Sequence, residues 1–268
     1  MPFIQNNSIR YFVFDSLRDN SINHGIFTRK GGVSPYPWHS LNVGGTVGDD
    51  PDRVLENRSL IFRTLGLDTR SNYDVWQVHS NKVVCAKSPR ETQKKIKKAD
   101  AILTNVPGVT LFMRFADCLP IFFYDPNKKV VGIAHAGWKG TLENIVQETL
   151  HAMQENYDSK FSDIITAIGP SIAAHHYEIG PDVVELVENR YWNDADKFLI
   201  KRENDVADEK IRNKIMFDLQ KANQFDLLSA GVSNVEISSI CTACNQGDWY
   251  SHRGEKGKTG RFGALISL

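Results

Sequence analysis

The sequence of 268 residues has no excess charge of either sign, no long apolar run and only four cysteines. Lys and Arg number 32, as do Asp and Glu, so no net field favours nucleic acid or an anionic membrane as a partner. No run approaches the roughly 18 apolar residues of a membrane span. The opening residues, MPFIQNNSIR, lack the basic and apolar pattern of a secretory signal. Together with the few thiols, this predicts a cytoplasmic protein with reduced cysteines.

Apolar strands dominate the middle of the chain. Between Asp100 and His135 the sequence predicts AILTN, VTLFMRFA, LPIFFYD and VVGIAH as successive strands, with DPNKK as a hairpin turn. Because nearly every residue in them is apolar, we expect their sheet to be covered on both faces. No repeat or linker divides the chain. We predict one α+β domain over residues 1–268, with mixed, largely antiparallel β-sheets layered between helices.

Other segments carry clear helix and strand signals. Asp50 and Pro51 predict the N-cap and first residue of a helix that runs through Leu65, with Gly66 as its stop. Further predictions are strands at Tyr73–His79 and Asp248–Arg253 and helices at about Thr141–Tyr157 and Ile211–Ala230.

Three residues at predicted strand ends are the first candidates for chemistry. Cys118 lies between two apolar strands, His135 ends VVGIAH, and His79 ends the strand in WQVHSN. A buried core cysteine is a common alternative for Cys118. Catalytic zinc, however, takes three protein ligands of N or S type and keeps an open position. A metal-free pair, with Cys118 as nucleophile and His135 as base, remains open at this point.

The residues after His135 have the features of an anion site. Gly-Trp-Lys-Gly opens a predicted helix, whose free amides favour negative charge, and Lys139 adds a cation. A simple turn with a hydrogen-bonded histidine is the alternative. Arg29, Arg253 and Arg261 are further candidates for binding phosphate.

Cys241 and Cys244 form a C-x-x-C pair. A structural zinc normally needs a second pair, and the remaining cysteine, Cys85, lies in a predicted strand. A redox dithiol would be expected at the start of a helix, whereas a turn follows here. We interpret the pair as structural or incidental, with His175 and His176 in GPSIAAHHYEIG as secondary candidates.

Together these segments resemble one family. HGIFTRKGGVS, SLNVG, DDPDRVLENR, QVHS, ADAILTN, ADCLP, AHAGWKG and CTAC…SHR…TGR follow the order of the YfiH-type family, also named for laccase domains and for purine nucleoside phosphorylase activity. The resemblance runs from about His24 to Leu268 and implies a single α+β domain. It also implies that His79, Cys118 and His135 bind zinc, with copper as the other metal. Asp117 is then a candidate for moving protons.

The resemblance implies a substrate and its contacts. The family's activities are phosphorolysis of adenosine, inosine, guanosine and methylthioadenosine, and deamination of adenosine. The expected partners are therefore purine nucleosides and phosphate, bound by a monomer or small homo-oligomer. The expected substrate contacts are Asn42, Arg58, Lys139, Gly140, Thr141 and Arg253. The sequence departs from the family pattern at Phe115, Lys139, His252 and Gly254, where Thr, Arg, Tyr and Arg are usual.

Three alternatives to a zinc enzyme remain. A copper-dependent polyphenol oxidase is implied by the older family description, although multicopper oxidases use around ten histidines in H-x-H patterns and this chain has eight and no H-x-H. A likeness to cysteine-dependent toxin deamidases implies a metal-free hydrolase that uses Cys118 and His135. A protein that binds nucleoside or metal without turnover is the non-catalytic alternative.

Overall fold

A computed structural model describes residues 3–91, 93–201 and 214–268. Over those ranges the strands are, in chain order, β1 (Phe3–Asn6), β2 (Ile9–Phe12), β3 (Asn23–Phe27), β4 (Asn72–Tyr73), β5 (Val83–Cys85), β6 (Ala101–Thr104), β7 (Thr110–Phe115), β8 (Leu119–Asp125), β9 (Val130–Ala136), β10 (Ile165–Ile168), β11 (Glu178–Ile179), β12 (Leu199–Lys201), β13 (Ile215–Phe217), β14 (Asn234–Ile237) and β15 (Phe262–Ser267). The α-helices of the same ranges are α1 (Asp15–Arg18), α2 (Pro51–Thr64), α3 (Trp138–Leu142), α4 (Ile145–Tyr157), α5 (Pro181–Tyr191) and α6 (Leu219–Ser229).

The strands form two six-stranded sheets and one small sheet. The first sheet has the order β1-β2-β3-β15-β7-β4, the second β14-β10-β8-β9-β6-β5, and the third β11-β13-β12. Among the described strands, nine of the twelve pairings are antiparallel; β4 with β7, β5 with β6 and β10 with β14 are parallel. The predicted mixed, largely antiparallel α+β fold is confirmed.

The two large sheets face each other between helices. Apolar side chains of the first sheet, such as Met113 and Ile266, share a buried cluster with Phe122 and Val131 of the second. The outer face of the second sheet packs against α4, α5 and α6, and the outer face of the first against α2. Every residue of β8 and β9 is buried, as the apolar runs predict.

The hairpin of β8 and β9 fixes the relative positions of two site residues. The strands pair in the register Pro120 to His135, and the predicted turn joins them at Asp125 and Val130. Cys118 immediately precedes β8 and therefore lies at the same end of the hairpin as His135. The pairing of these two consecutive strands thus brings Cys118 and His135 to one end of the hairpin.

Helix α2 agrees with its sequence signals. The Asp50 carboxylate accepts hydrogen bonds from the amides of Asp52 (2.9 Å) and Arg53 (3.2 Å), which have no partner within the helix. Gly66, with φ +69°, takes the left-handed conformation that ends a helix. Among the described helices, none is both long and apolar enough to cross a membrane.

Four predicted elements differ in the structure. The strand predicted at Tyr73–His79 is limited to Asn72–Tyr73, because the amide groups of residues 78–80 bind the Asp100 carboxylate instead of a neighbouring strand. The helix predicted from Thr141 is two helices, broken where Asn144 takes φ +69°.

The other two differences lie near the carboxyl end. The helix predicted from Ile211 begins at Leu219 after strand β13, because apolar residues 215–217 pair with β11 and β12; its predicted start lies outside the described residues. The strand predicted at Asp248–Arg253 is a series of turns, in which the amides of Asp248 and Trp249 both donate to the Asn245 carbonyl.

Candidate metal centre and its cavity

Three side chains from different parts of the fold meet at one end of the β8–β9 hairpin. The Cys118 Sγ atom lies 3.9 Å from Nε2 of His79. One nitrogen from each of His79 and His135, together with this sulfur, forms a group whose atoms all lie within 4.8 Å of one another. The two imidazole rings are 4.8 Å apart at an angle of 74°. The structure therefore brings together the three residues that the sequence proposed as metal ligands.

Asp100, the residue directly before the AILTN segment, holds this arrangement. Its Oδ1 atom lies 2.9 Å from Nδ1 of His135, and its carboxylate accepts hydrogen bonds from the amides of Val78, His79 and Ser80. It thus orients one imidazole and fixes the loop that carries the other. The sequence analysis did not predict this role, although a charged residue directly before a largely apolar strand was a usable signal.

The backbone around the centre is unusual for its residue types. His79 has φ +58° and Asp117 has φ +82°, both in the left-handed region that side chains other than glycine seldom adopt. At Gly137 the constraint is space: a Cβ atom there would lie 2.9 Å from Cys118 Sγ and 3.1 Å from His79 Cδ2. Glycine at this position lets the thiol and imidazole approach the start of α3.

The three groups change one another's protonation. Burial alone would raise the pKa of the Cys118 thiol, but the imidazoles of His135 and His79 outweigh burial and lower that pKa to about 6. Burial likewise favours neutral His135, yet the Cys118 thiolate and the Asp100 carboxylate raise its pKa to about 9. Burial raises the pKa of Asp100, and its bonds to His135 and Ser80 outweigh this and lower it to about 2. The centre therefore favours a thiolate.

These donors fit a metal ion. A thiolate and two imidazoles are the borderline-soft ligands that Zn²⁺ accepts in catalytic sites, and Cu²⁺ accepts them also. With Asp100 at Nδ1 of His135, the Nε2 atom of that ring is the one left for a metal. Three ligands leave a fourth position for water or substrate.

The centre opens into a cavity of about 590 Å³, a size typical of small-molecule sites. Trp138 and Tyr177 contribute aromatic surface beside the three candidate ligands. Five guanidinium groups line the cavity against two carboxylates, those of Asp74 and Asp117; the arginines are Arg58, Arg90, Arg114, Arg253 and Arg261. The cavity thus combines an aromatic wall with an excess of positive charge, which suits an anionic ligand that carries a ring.

Three of these arginines have no carboxylate bound to them. Arg90 and Arg114 pair with Asp74, whereas Arg58, Arg253 and Arg261 form no ion pair with any residue in the described ranges. The guanidinium of Arg58 is half-buried; burial, followed by the charge of Arg114, lowers its pKa to about 10. A group that loses hydration without gaining an anion is suited to bind one from solution.

The expected substrate contact Asn42 and the proton-transfer candidate Asp117 both support residues of the cavity wall. The Asn42 amide is buried, binds the Asp49 carboxylate at 2.8 Å and accepts a hydrogen bond from the amide of Arg261 at 2.8 Å. The Asp117 carboxylate reaches the cavity wall, but its oxygens accept bonds from Thr242 Oγ1 and the amide of Arg253, each at 2.6 Å. Both side chains fix the backbone of an arginine that lines the cavity.

The remaining expected contacts, Lys139, Gly140 and Thr141, belong to α3 and are not among the residues that line this cavity. Lys139 is exposed and lies 3.7 Å from Glu143. The Thr141 amide already donates to the Gly137 carbonyl, and its hydroxyl accepts from Asn223. The anion site predicted at this turn stays a prediction, separate from the cavity beside Cys118.

Two of the departures noted in the sequence lie at the site. Phe115 packs its ring 5.5 Å from that of His135, and His252 lines the cavity. The sequence did not indicate Tyr177, Arg114 and Trp138 as parts of the wall. Trp138 and Tyr177 lie within quoted motifs and Arg114 within a predicted strand, and none has a signal of its own.

Known proteins are similar to this chain over nearly its whole length. A family model described as "Multi-copper polyphenol oxidoreductase laccase" matches residues 23–268. "Purine nucleoside phosphorylase YlmD" of Bacillus subtilis (strain 168) is 36% identical over 252 residues, which cover 91% of this chain and 87% of that protein. A "Purine nucleoside phosphorylase" of Deinococcus radiodurans is 35% identical over 248 residues, covering 92% and 90%. The solved structure of Bacillus licheniformis hypothetical protein YfiH matches with a TM-score of 0.88 at 31% identity, covering 100% of this chain and 99% of that one.

Proposed function

The chain belongs to the family described as multi-copper polyphenol oxidoreductase laccase, and from this premise we propose that it is a zinc-dependent purine nucleoside phosphorylase. The proposed substrates are adenosine, inosine, guanosine and methylthioadenosine, with deamination of adenosine as a second reaction. The proposed metal ligands are His79, Cys118 and His135. The single observation that carries the proposal is that these ligands share a cavity with three unpaired guanidinium groups of the described chain.

Phosphate is the co-substrate that the charges favour. Arg58, Arg253 and Arg261 are the groups we propose to bind it, since guanidinium groups match phosphate oxygens in pairs. In phosphorolysis a phosphate oxygen forms a bond to C1′ of the ribose while the bond from C1′ to N9 of the purine breaks. The electron pair stays with the base, which takes up a proton. Holding phosphate beneath the ribose therefore accounts for much of the acceleration of this step over the uncatalysed reaction.

The aromatic wall is the proposed site of the purine. Burial, and then the negative charge of Cys118, raise the pKa of Tyr177, so its hydroxyl remains protonated at neutral pH. A phenol in that state donates a hydrogen bond to a purine nitrogen, and its ring stacks on the base. The Arg253 guanidinium lies 5.3 Å from the Tyr177 ring centre and holds the ring in place.

The metal completes the chemistry when it is bound. Zinc would supply a Lewis acid with an open position in the cavity. The residues of the chain keep Cys118 as a thiolate, through His135 and His79, and orient the His135 ring, through the contact of Asp100 with its Nδ1 atom. In deamination, water replaces the amine of adenosine and ammonia leaves, a reaction that other zinc deaminases perform with mixed histidine and cysteine ligands.

The test is product analysis with purified, zinc-loaded protein. Adenosine and inosine are incubated separately with and without inorganic phosphate, and bases and nucleosides are separated by chromatography. We expect phosphate-dependent release of adenine and hypoxanthine, and phosphate-independent formation of inosine from adenosine. Absence of all three products would overturn the proposal.

The same preparation separates the alternatives. Activity that survives a chelator but is lost on alkylation of Cys118 would favour the metal-free cysteine hydrolase. Oxidation of a phenol that requires added copper, without any nucleoside turnover, would favour the polyphenol oxidase. Tight nucleoside binding without products would favour a binding protein.

A further inference from the structure

A second group of potential ligands lies outside the candidate centre. The two cysteines of the C-x-x-C pair, Cys241 and Cys244, meet His175 and His176 from a segment far earlier in the chain. The sulfur of each cysteine and one nitrogen of each histidine all lie within 4.8 Å of one another. The fold thus supplies the second ligand pair whose absence argued against a metal at C-x-x-C in the sequence.

The contacts within the group are those of a site close to assembly. His175 Nε2 lies 3.0 Å from Cys244 Sγ, and the two histidine rings are 4.7 Å apart. Ligand atoms around tetrahedral zinc are separated by roughly 3.3–3.8 Å, given Zn–N and Zn–S lengths of about 2.0–2.3 Å. Side-chain rotations that move the ligand atoms by about 1 Å therefore suffice to place all four atoms around one ion.

Backbone hydrogen bonds hold together the two segments that carry these ligands. Residues Ser171 and Cys241 form a bridge between parallel segments, and the Thr242 amide donates to the Ser171 carbonyl at 2.9 Å. The Ala173 amide donates to Cys241 Sγ at 3.4 Å, a contact that stabilises a thiolate. The Asn245 side chain closes the turn through the Cys241 carbonyl. All four cysteines of the chain are free thiols.

We propose that His175, His176, Cys241 and Cys244 form a second, structural zinc site. Two thiolates and two imidazoles supply all four ligands, which is the closed coordination of structural zinc and leaves no position for substrate. Such an ion would join the segment around Ser171 to the turn after Cys241. This proposal does not depend on the nucleoside chemistry, since it concerns metal content alone.

The segments that carry this second group of ligands also contact the wall of the cavity beside Cys118. Thr242, in the C-x-x-C turn, donates to the Asp117 carboxylate, and the Ile172 amide donates to the Asp117 carbonyl at 2.9 Å. Tyr177 follows His176 directly and lines the cavity. A zinc ion that ties the two segments would therefore fix the cavity wall beside Cys118 without contacting substrate.

Zinc content measured by mass spectrometry, after loading and removal of free ion, tests the proposal. We expect about two zinc ions per chain in wild type, about one in the Cys241→Ser/Cys244→Ser double variant and about one in Cys118→Ser. Cys85→Ser, which removes a thiol in β5 outside both groups, is the matched control and should keep about two. Equal zinc content in wild type and the double variant would overturn the second site. So would a disulfide between Cys241 and Cys244 in zinc-loaded protein.

Cobalt spectra give an answer that does not depend on the stability of the double variant. In Cys118→Ser, Co²⁺ should still produce the intense visible bands of a tetrahedral ion and the ultraviolet bands of thiolate ligation. His175→Ala/His176→Ala in that background retains both thiols and should lose the tetrahedral bands. Bands that are unchanged by the histidine replacements would contradict the proposed ligand set.

Discussion

The Nδ1 atom of His135 lies 2.9 Å from Oδ1 of Asp100, and the same carboxylate binds the loop that carries His79. Two of the three proposed metal ligands are thus positioned by one buried side chain. This couples the order of the loop to the orientation of a strand residue.

Asp100→Asn should weaken metal binding. An amide offers one acceptor in place of the carboxylate that serves His135 and three backbone amides, and the loss of such a supporting group typically costs about 10- to 100-fold in metal affinity. Competition with a chromogenic zinc chelator measures the change. Asp125→Asn is the matched control, because its buried carboxylate accepts hydrogen bonds from the turn amides of residues 127 and 128, at the other end of β8. An unchanged zinc affinity in Asp100→Asn would contradict this role.

Gly137→Ala should disturb the centre while the fold persists. The added methyl group would meet Cys118 Sγ at 2.9 Å, so the thiol must move and the geometry of the three ligands is lost. We expect at least a tenfold fall in nucleoside turnover with a native circular dichroism spectrum. Gly247→Ala is the control, since a methyl group there meets no atom of the described residues within 4 Å. Equal activity of the two variants would refute the packing argument.

Arg261→Met should raise the KM for phosphate. Hydrogen bonds to a charged partner contribute about 1.5–3 kcal/mol, which corresponds to roughly a 10- to 100-fold change in affinity. Steady-state kinetics with phosphate varied at saturating nucleoside measures it. The KM for nucleoside should change little, because the guanidinium is assigned to the anion. Arg63→Met, on the exposed face of α2, is the control. A rise confined to the KM for nucleoside would show that Arg261 does not bind phosphate.

Protonation of His24 should lower the free energy of unfolding in mild acid relative to neutral pH. Its Nε2 accepts the Phe14 amide at 2.8 Å and its Nδ1 lies 2.8 Å from the Ile22 carbonyl, a pattern that requires the neutral ring. Burial, which outweighs the bond to Ile22, lowers the pKa of His24 below its ordinary value of 6.5. Between the two pKa values the unfolded chain binds a proton that the folded chain does not. The stabilising contribution is therefore complete above about pH 6.5 and is lost as the pH falls below it.

Urea unfolding between pH 7.5 and 5 measures this effect. The free energy of unfolding of wild type should fall below pH 6.5 by up to about 1.4 kcal/mol per pH unit more than that of His24→Asn, which cannot titrate at this position. Other histidines are common to both proteins and cancel in the difference. Parallel pH profiles would show that His24 is not the group responsible.

The strands were predictable where nearly every residue of the sequence is apolar. β8 and β9 follow from LPIFFYD and VVGIAH, and α2 follows from Asp50, Pro51 and Gly66, since these signals are local. The chain at 74–79 was predicted as a strand because its residues are suited to one. In the fold, Gln77 binds the backbone of Arg114 through its side chain, and Asp100 takes the next amides.

The candidate metal ligands could be predicted from the sequence, but the residues that position them could not. Cys118 and His135 lie at ends of adjacent strands, so their proximity follows once the hairpin is recognised. Asp100 and Tyr177 join them only through long-range packing, which no local spacing indicates. The pairing of Cys241 and Cys244 with His175 and His176 also depends on the bridge at Ser171, a contact across about 70 residues.

We propose that one cavity, beside Cys118, cleaves purine nucleosides with phosphate. Phosphorus NMR of zinc-loaded wild type with inosine and inorganic phosphate tests it most directly, with Cys118→Ser as the comparison. We expect the phosphate signal to decline as a signal of ribose 1-phosphate grows in wild type, and both signals to stay constant in the variant. No ribose 1-phosphate from wild type, or equal amounts from both proteins, would contradict it.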